Sequence, residues 1–195
     1  MGRTGQLRTS HSHPLAIAEV YVPAGDGGIG GRIGVTFCPG KKQVAAFTGA
    51  WDRDLEIDCD AIARWGASAV VTLIEDHELD ALQVPGLGAA VRARGMTWYH
   101  LPIRDVSIPS PAFEEAWGEV GAQLRGLIRR GGAVLVHCKG GLGRAGMIAA
   151  RLLVELGMAP DQTIAAVRGV RPGAIETSAQ LAYVQAVKAV ADPPP

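Results

Sequence analysis

Cys138 and Arg144 stand six positions apart in the run Ala133-Val-Leu-Val-His-Cys-Lys-Gly-Gly-Leu-Gly-Arg-Ala-Gly-Met147. These two residue types at that spacing suit attack on a phosphorus atom. A thiolate is the nucleophile of cysteine chemistry, and a guanidinium can fork two hydrogen bonds onto two oxygens of a phosphoryl group held over the sulfur. Between them lie Lys139, Gly140, Gly141, Leu142 and Gly143. A loop so rich in glycine can turn its backbone N–H groups inward and bring them close to an oxyanion. A helix beginning near Arg144 adds the positive end of its dipole. The same amides, helix terminus and guanidinium favour the thiolate, and a free thiol of pKa about 8.5 can fall several units in such surroundings. The spacing alone is weak, because a buried inert cysteine beside a Gly-rich turn would also satisfy it. The apolar strand in front, His137 at its end, the three glycines and the helical pattern behind give it the context of a phosphate-binding loop.

An alkoxide or phenoxide leaving phosphorus must be protonated, so the chemistry also needs an acid. Asp105 is the candidate, in His100-Leu-Pro-Ile-Arg-Asp-Val-Ser-Ile-Pro109, past a strand and on a loop able to close over a pocket. A solvated loop carboxylate is the plainer reading of the same residue. Asp76 and Glu78 compete for the role, although a turn or a helix cap suits both better. His11, His13, His77 and His100 give no metal-ligand spacing. Gly25-Asp-Gly-Gly-Ile-Gly30 lacks the following helix and acidic partner of a nucleotide site. No metal and no cofactor is therefore expected. Cys59 reads as a small core residue, and Cys38 either as buried or as a thiol able to pair with Cys138.

The elements that must hold these groups follow from the pattern. Ala16 to Val22 and Ile33 to Cys38 read as strands joined by the Gly-rich stretch Ala24 to Arg32. A helix is predicted over Leu55 to Trp65, stopped by Gly66, then a strand over Ala69 to Ile74, a helix near Gly86 to Arg94 and a strand over Thr97 to Ile103. Ser110 as N-cap, Pro111 at the first helical position and Glu114 and Glu115 behind it open a helix running to Arg130. The strand Ala133 to His137 and helices near Ala145 to Leu156, Asp161 to Arg168 and Ser178 to Val190 complete the order. Strands alternating with helices predict one α/β domain with a central, largely parallel sheet flanked by helices. Residues 15–191 form this domain, between flexible tails at 1–14 and 192–195.

Composition narrows the partners. The 195 residues carry 19 Lys plus Arg against 19 Asp plus Glu, so no global field gathers nucleic acid or an anionic membrane. No apolar run approaches the roughly 20 residues of a membrane span, and Met1 to Pro14 lacks the apolar centre of a secretory signal. Three cysteines cannot all pair, which points to a reducing cytoplasm. The expected partner is a phosphorylated protein or a small phosphate ester. Nothing in the sequence speaks to the oligomeric state.

His137-Cys138-Lys139-Gly140-Gly141-Leu142-Gly143-Arg144 resembles the signature of the cysteine-dependent protein tyrosine and dual-specificity phosphatases. It is most similar to the branch of the cyclin-dependent-kinase-associated phosphatases and their bacterial relatives. Trp51-Asp-Arg-Asp-Leu55 with Trp65-Gly66, Val70-Val-Thr-Leu-Ile-Glu75 with Glu78-Leu79, and Arg171-Pro-Gly-Ala-Ile-Glu-Thr177 with Gln180 agree, so the likeness runs from about Phe37 to Val187. The resemblance implies a phosphocysteine at Cys138, Asp105 as acid and then base, and a supporting role for His137. It makes Gln180 the residue that positions the hydrolytic water, although Gln180 equally fits an exposed place on the last helix. Phosphotyrosine, with phosphoserine or phosphothreonine in addition, is the implied substrate. One departure stands out: the family places Ser or Thr after the arginine, and this chain has Ala145. The rival readings are a phosphoprotein-binding module with little turnover and a phosphatase of inositol phosphates or other small esters. Lys139 bears on the second, as either a sensor of a further anion or an outward side chain.

Overall fold

A computed structural model describes residues 7–23, 29–44 and 49–191. Strands β1 (Ala18–Pro23), β2 (Ile29–Phe37), β5 (Ala67–Thr72), β6 (Thr97–His100) and β7 (Ala133–Cys138) form one sheet in the order β1-β2-β7-β5-β6. All neighbours are parallel except β1 and β2. The short strands β3 (Lys42–Gln43) and β4 (Trp51–Asp52) pair with each other apart from this sheet, and Arg8 forms a further bridge to Trp51. The helices are α1 (Leu55–Trp65), α2 (Asp76–Ala81), α3 (Leu87–Arg92), α4 (Pro111–Arg129), α5 (Gly143–Glu155), α6 (Pro160–Val170) and α7 (Ser178–Ala186). Among the described residues no helix is long and apolar enough to cross a membrane.

Strand β7 occupies the middle of the sheet, and all six of its residues are buried. Such a strand has to be apolar on both faces, which the run Ala133 to Val136 supplies. In β2, Gly31 and Gly34 lie on opposite faces. A Cβ on Gly31 would strike the backbone of Ile128 in α4, and one on Gly34 would strike the Trp65 ring of α1. Helices thus press on the sheet from two sides, as the alternating pattern requires. In the register, Phe37 and Thr72 flank Cys138 and His137. The site therefore forms at the carboxyl end of the sheet, where open α/β sheets bind their ligands.

Helix α1 begins and ends where its sequence predicts. The Asp54 side chain accepts from the Ile57 N–H, and Gly66 takes a left-handed conformation at the stop. Ser110 accepts from the Phe113 N–H at the start of α4. Other boundaries differ. Strand β2 begins four residues early, at Ile29, inside the expected Gly-rich connection, whose residues 24–28 lie outside the described part. Strand β5 is displaced to Ala67–Thr72, and β6 stops at His100, ahead of Pro102. The last helix ends at Ala186 rather than Val190. Val187 turns extended, and the Val190 N–H goes to the Glu155 carbonyl at the end of α5. Residues 76–81, where Asp76 and Glu78 suggested a turn or a helix cap, form α2, and Glu78 takes part in its capping box.

Of the leader expected to be loose, residues 1–6 fall outside the described part, as do 192–195. The rest of it is placed. Arg8 exchanges backbone hydrogen bonds with Ala50 and Asp52, and buried Ser10 accepts from the Asp54 N–H at 2.9 Å. Arg53, fully packed away, forks onto Asp58 at 2.7 and 2.8 Å and donates to the His13 carbonyl at 2.7 Å.

Candidate active site

The chain leaves β7 at Cys138, whose residue is 3% exposed, and loops through Lys139 to Leu142 into α5. Three successive carbonyls of this loop are tied outward. The Lys139 oxygen accepts from the Cys38 N–H at 3.4 Å and the Lys41 Nζ at 3.3 Å, the Gly140 oxygen from Arg171 at 3.0 Å, and the Gly141 oxygen from Arg171 Nε at 2.9 Å. In a trans peptide the C=O and the N–H point to opposite sides, and no described peptide bond is cis. The amides of Gly140, Gly141 and Leu142 are therefore turned to the inner side. One of them shows it directly: the Gly141 N–H donates to Cys138 Sγ at 3.3 Å. The result is a concave set of N–H donors over the sulfur, backed by the α5 N-terminus.

Gly141 is required by space, and Gly143 is crowded by side-chain ends. Gly141 has φ = +68°, and a Cβ there would lie 2.4 Å from the Thr36 backbone. A Cβ on Gly143 would meet Glu176 Oε2 at 2.4 Å and Gln180 Oε1 at 2.9 Å. Gly140 faces open space, so its share in the loop is its amide.

Arg144, 2% exposed, rises from the first turn of α5. It forks onto Glu78, NH1 to Oε2 at 2.5 Å and NH2 to Oε1 at 2.9 Å, and gives NH1 to the Ile103 carbonyl at 3.0 Å. Its NH2 is also 3.0 Å from Asp105 Oδ1. Burial pushes the guanidinium pKa down, but Glu78, Cys138 and Asp105 together carry it above its ordinary value. Burial likewise pushes Glu78 up. The Arg144 hydrogen bond, the Glu75 amide and the charges of Arg144 and Lys139 overcome this and hold the carboxyl below the usual range. Glu78 does two jobs from the third position of α2, capping that helix through the Glu75 N–H and fixing the arginine.

Asp105 is brought to the site with its side chain 57% exposed. Its Oδ1 accepts from the Val106 N–H at 3.0 Å, and Val106 holds φ = +53°, an outlier for a β-branched residue. Gln180 holds this turn by donating from Nε2 to the Ser107 carbonyl at 3.2 Å. The exposed alternative for Gln180 is thereby corrected: the side chain is fully buried, and its Oε1 accepts from the Glu176 and Thr177 amides. The capping geometry of α7, Thr177 to Gln180, draws it inward. His137, also fully buried, bonds Thr72 Oγ1 through Nε2 at 2.8 Å. Burial first, then the charges of Arg144 and His100, push its pKa down to about 3, so the imidazole is a neutral brace between β7 and β5. Lys139 is half-buried, its ammonium near enough to Glu78 to help hold that carboxyl down. The arrangement can grip a tetrahedral anion over Cys138, with a carboxyl group at its open side.

Glu78, Lys41 and Arg171 complete this site and were not singled out by sequence as part of it. Glu78 stood as a competing acid or cap, and Arg171 only within a segment that carries the resemblance. Arg168, at the exposed side of α6, donates to the Ala174 and Ile175 carbonyls. Cys38 lies one residue beyond Phe37, the strand partner of Cys138; burial pushes its thiol well up, and Sγ donates to the Pro39 carbonyl. Among the described residues no three His, Cys, Asp or Glu side chains cluster as a metal site requires.

A cysteine at the end of a central parallel strand, under inward amides and beside a buried arginine, defines the class of the cysteine-dependent phosphatases. Residues 51–158, more than half of the chain, match the family model described as "Polymorphic toxin system, DSP-PTPase phosphatase", and the chain belongs to the dual-specificity and tyrosine phosphatase family. It is 32% identical over 135 residues to the Cyclin-dependent kinase inhibitor 3 of Rattus norvegicus, a match covering 68% of this chain and 62% of that one. The chain thus matches less than two thirds of the length of such curated relatives. A crystal structure of kinase associated phosphatase, with serine in place of its catalytic-site cysteine, superposes with a TM-score of 0.72 at 26% identity, covering 88% of this chain and 93% of that one. Tk-PTP in its active form gives 0.59 at 31% identity, covering 78% and 88%.

Proposed function

We propose that this chain hydrolyses phosphomonoesters on protein side chains, phosphotyrosine foremost with phosphoserine or phosphothreonine in addition, through a phosphocysteine at Cys138. The observation that carries this reading is the loop itself: three carbonyls tied outward and the Gly141 amide on Cys138 Sγ. Such a cradle suits an oxyanion that is bound and attacked from below. In the first step the sulfur attacks phosphorus, the bond to the leaving oxygen breaks, and Asp105 hands that oxygen a proton. In the second step Asp105 takes a proton from water, the water oxygen bonds phosphorus, the P–S bond breaks, and inorganic phosphate leaves the thiolate behind. Arg144 and the amides of residues 140–144 hold the equatorial oxygens throughout. Gln180 acts through the Asp105 turn that it braces. The relatives' names support a protein substrate, and the three buried free thiols fit a reducing cytoplasm.

Ala145 shapes the kinetics. It is fully buried in the first turn of α5, and a methyl group offers no hydrogen bond to the departing sulfur. A hydrogen bond to a charged group is worth about 1.5–3 kcal/mol, or roughly 10- to 150-fold if it falls on phosphoenzyme breakdown. Stopped-flow hydrolysis of para-nitrophenyl phosphate is expected to show a burst near one equivalent of nitrophenol, then slow turnover. Ala145→Ser is expected to speed the slow phase within that range and leave the burst rate in place. Binding of phosphate without any release of nitrophenol would overturn the catalytic reading in favour of a phosphoprotein-binding module.

A further inference from the structure

Lys41 follows β2 on the outer side of the phosphate loop, where it is 5% exposed. Among the described residues no carboxylate pairs with its ammonium. Instead Nζ donates to the Lys139 carbonyl at 3.3 Å and lies 4.9 Å from the Phe37 ring centroid and 4.7 Å from that of Trp51. Burying an ammonium without a counter-ion is costly, and two aromatic faces offset only part of that. The carbonyl it grips belongs to the loop whose inner amides face Cys138.

We propose that Lys41 is a positioning residue of the phosphate loop: it holds the Lys139 carbonyl outward, so that the Gly140 amide faces the cradle, and its ammonium lends positive charge to a bound dianion from behind. This proposal rests on the phosphate-binding reading of Cys138 and its loop. The Gly140 amide belongs to the same peptide as the Lys139 carbonyl, so the groups that hold that oxygen outward also hold the amide inward. Two grips of similar length hold that oxygen, the Lys41 Nζ at 3.3 Å and the Cys38 N–H at 3.4 Å, and of the two only the ammonium brings charge.

The groups facing Lys41 are Cys38 at the end of β2, Cys138 on β7, Arg53 with its partner Asp58, and Arg171 beyond α6. Burial pushes the Lys41 amine down to about 8; Arg53 and Arg171 add to this, while Cys38 and Cys138 work against it. The protonated amine is the form that helps an anion. Phosphate affinity is therefore full below about pH 8 and falls as the pH rises through it, and a bound dianion moves the midpoint upward.

The test is calorimetric titration of inorganic phosphate into the full chain carrying Cys138→Ser, which removes turnover and the thiol at 138. Between about pH 7.5 and 10 the affinity of this parent is expected to fall about tenfold. Adding Lys41→Met is expected to weaken binding by about the same factor at pH 7.5 and to abolish the pH dependence. Adding Lys41→Arg, which keeps its charge over this range, is expected to bind with a flat profile. A purely structural lysine would not produce that contrast in pH profile. Tight, unweakened binding by a folded Lys41→Met protein, a flat profile in the parent, or an unchanged alkaline loss in Lys41→Arg would each overturn the proposal. If the methionine variant does not fold, the parent and arginine profiles decide in the same way. No phosphate binding by the parent at any pH would overturn the phosphate-site reading and this proposal with it.

Discussion

Cys138→Ser is expected to lower turnover by at least about 10⁴-fold while leaving phosphate binding in place. The serine oxygen would occupy the end of β7 and can still accept from the Gly141 N–H, so the cradle keeps its shape. What disappears is the nucleophile, since a hydroxyl here has no base beside it: the nearest imidazole, His137, is committed to Thr72 and held neutral by burial. The grip on phosphate comes from amides and Arg144, which the exchange does not touch. Neither of the other thiols can substitute. Cys38 and Cys59 are fully buried, and burial pushes the pKa of both upward, that of Cys59 to about 12. The check is nitrophenol release from para-nitrophenyl phosphate alongside calorimetry with inorganic phosphate. A burst that survives in the serine protein would place the nucleophile elsewhere.

The contrast between what the sequence showed and what it hid has a physical basis. The loop was legible because its chemistry lies in consecutive residues: a buried strand, a cysteine, glycines and a helix start. Helices α1 and α4 were legible because Asp54, Gly66, Ser110 and Pro111 mark their ends with local hydrogen bonds or fixed dihedrals. Helix α2 was not, because six residues give too few turns for a periodicity, and its cap is a glutamate where Ser, Thr, Asp or Asn would be expected. Glu78 was legible as a cap, but its fork onto Arg144 was not. Lys41 and Arg171 act on backbone carbonyls nearly a hundred and about thirty residues away, and a carbonyl acceptor leaves no trace in a side-chain pattern. Gln180 was ambiguous for a related reason: its partners are the backbones of residues 107, 176 and 177, which bury it on a helix whose sequence has no clear apolar face.

Arg144→Lys is expected to cost about 10²–10³ in kcat/KM, the scale of losing one preorganised donor to a developing oxyanion. The guanidinium now serves Glu78 with two nitrogens, the Ile103 carbonyl with one and Asp105 with one. A lysine reaching the same place has one nitrogen, which cannot keep Glu78 forked and present two donors to a phosphoryl group as well. Glu78 would lose one of the contributions that together outweigh its burial, so its carboxyl would move upward. This makes the role of Glu78 testable through the arginine. Glu78→Gln keeps one acceptor oxygen but removes the charge, and is expected to cost about tenfold in kcat/KM with Arg144 present. In the Arg144→Lys background the same exchange is expected to cost little, since the fork it supports is already gone. Additive losses in this double-mutant cycle would mean that Glu78 acts on the reaction independently of Arg144, contrary to the bidentate geometry.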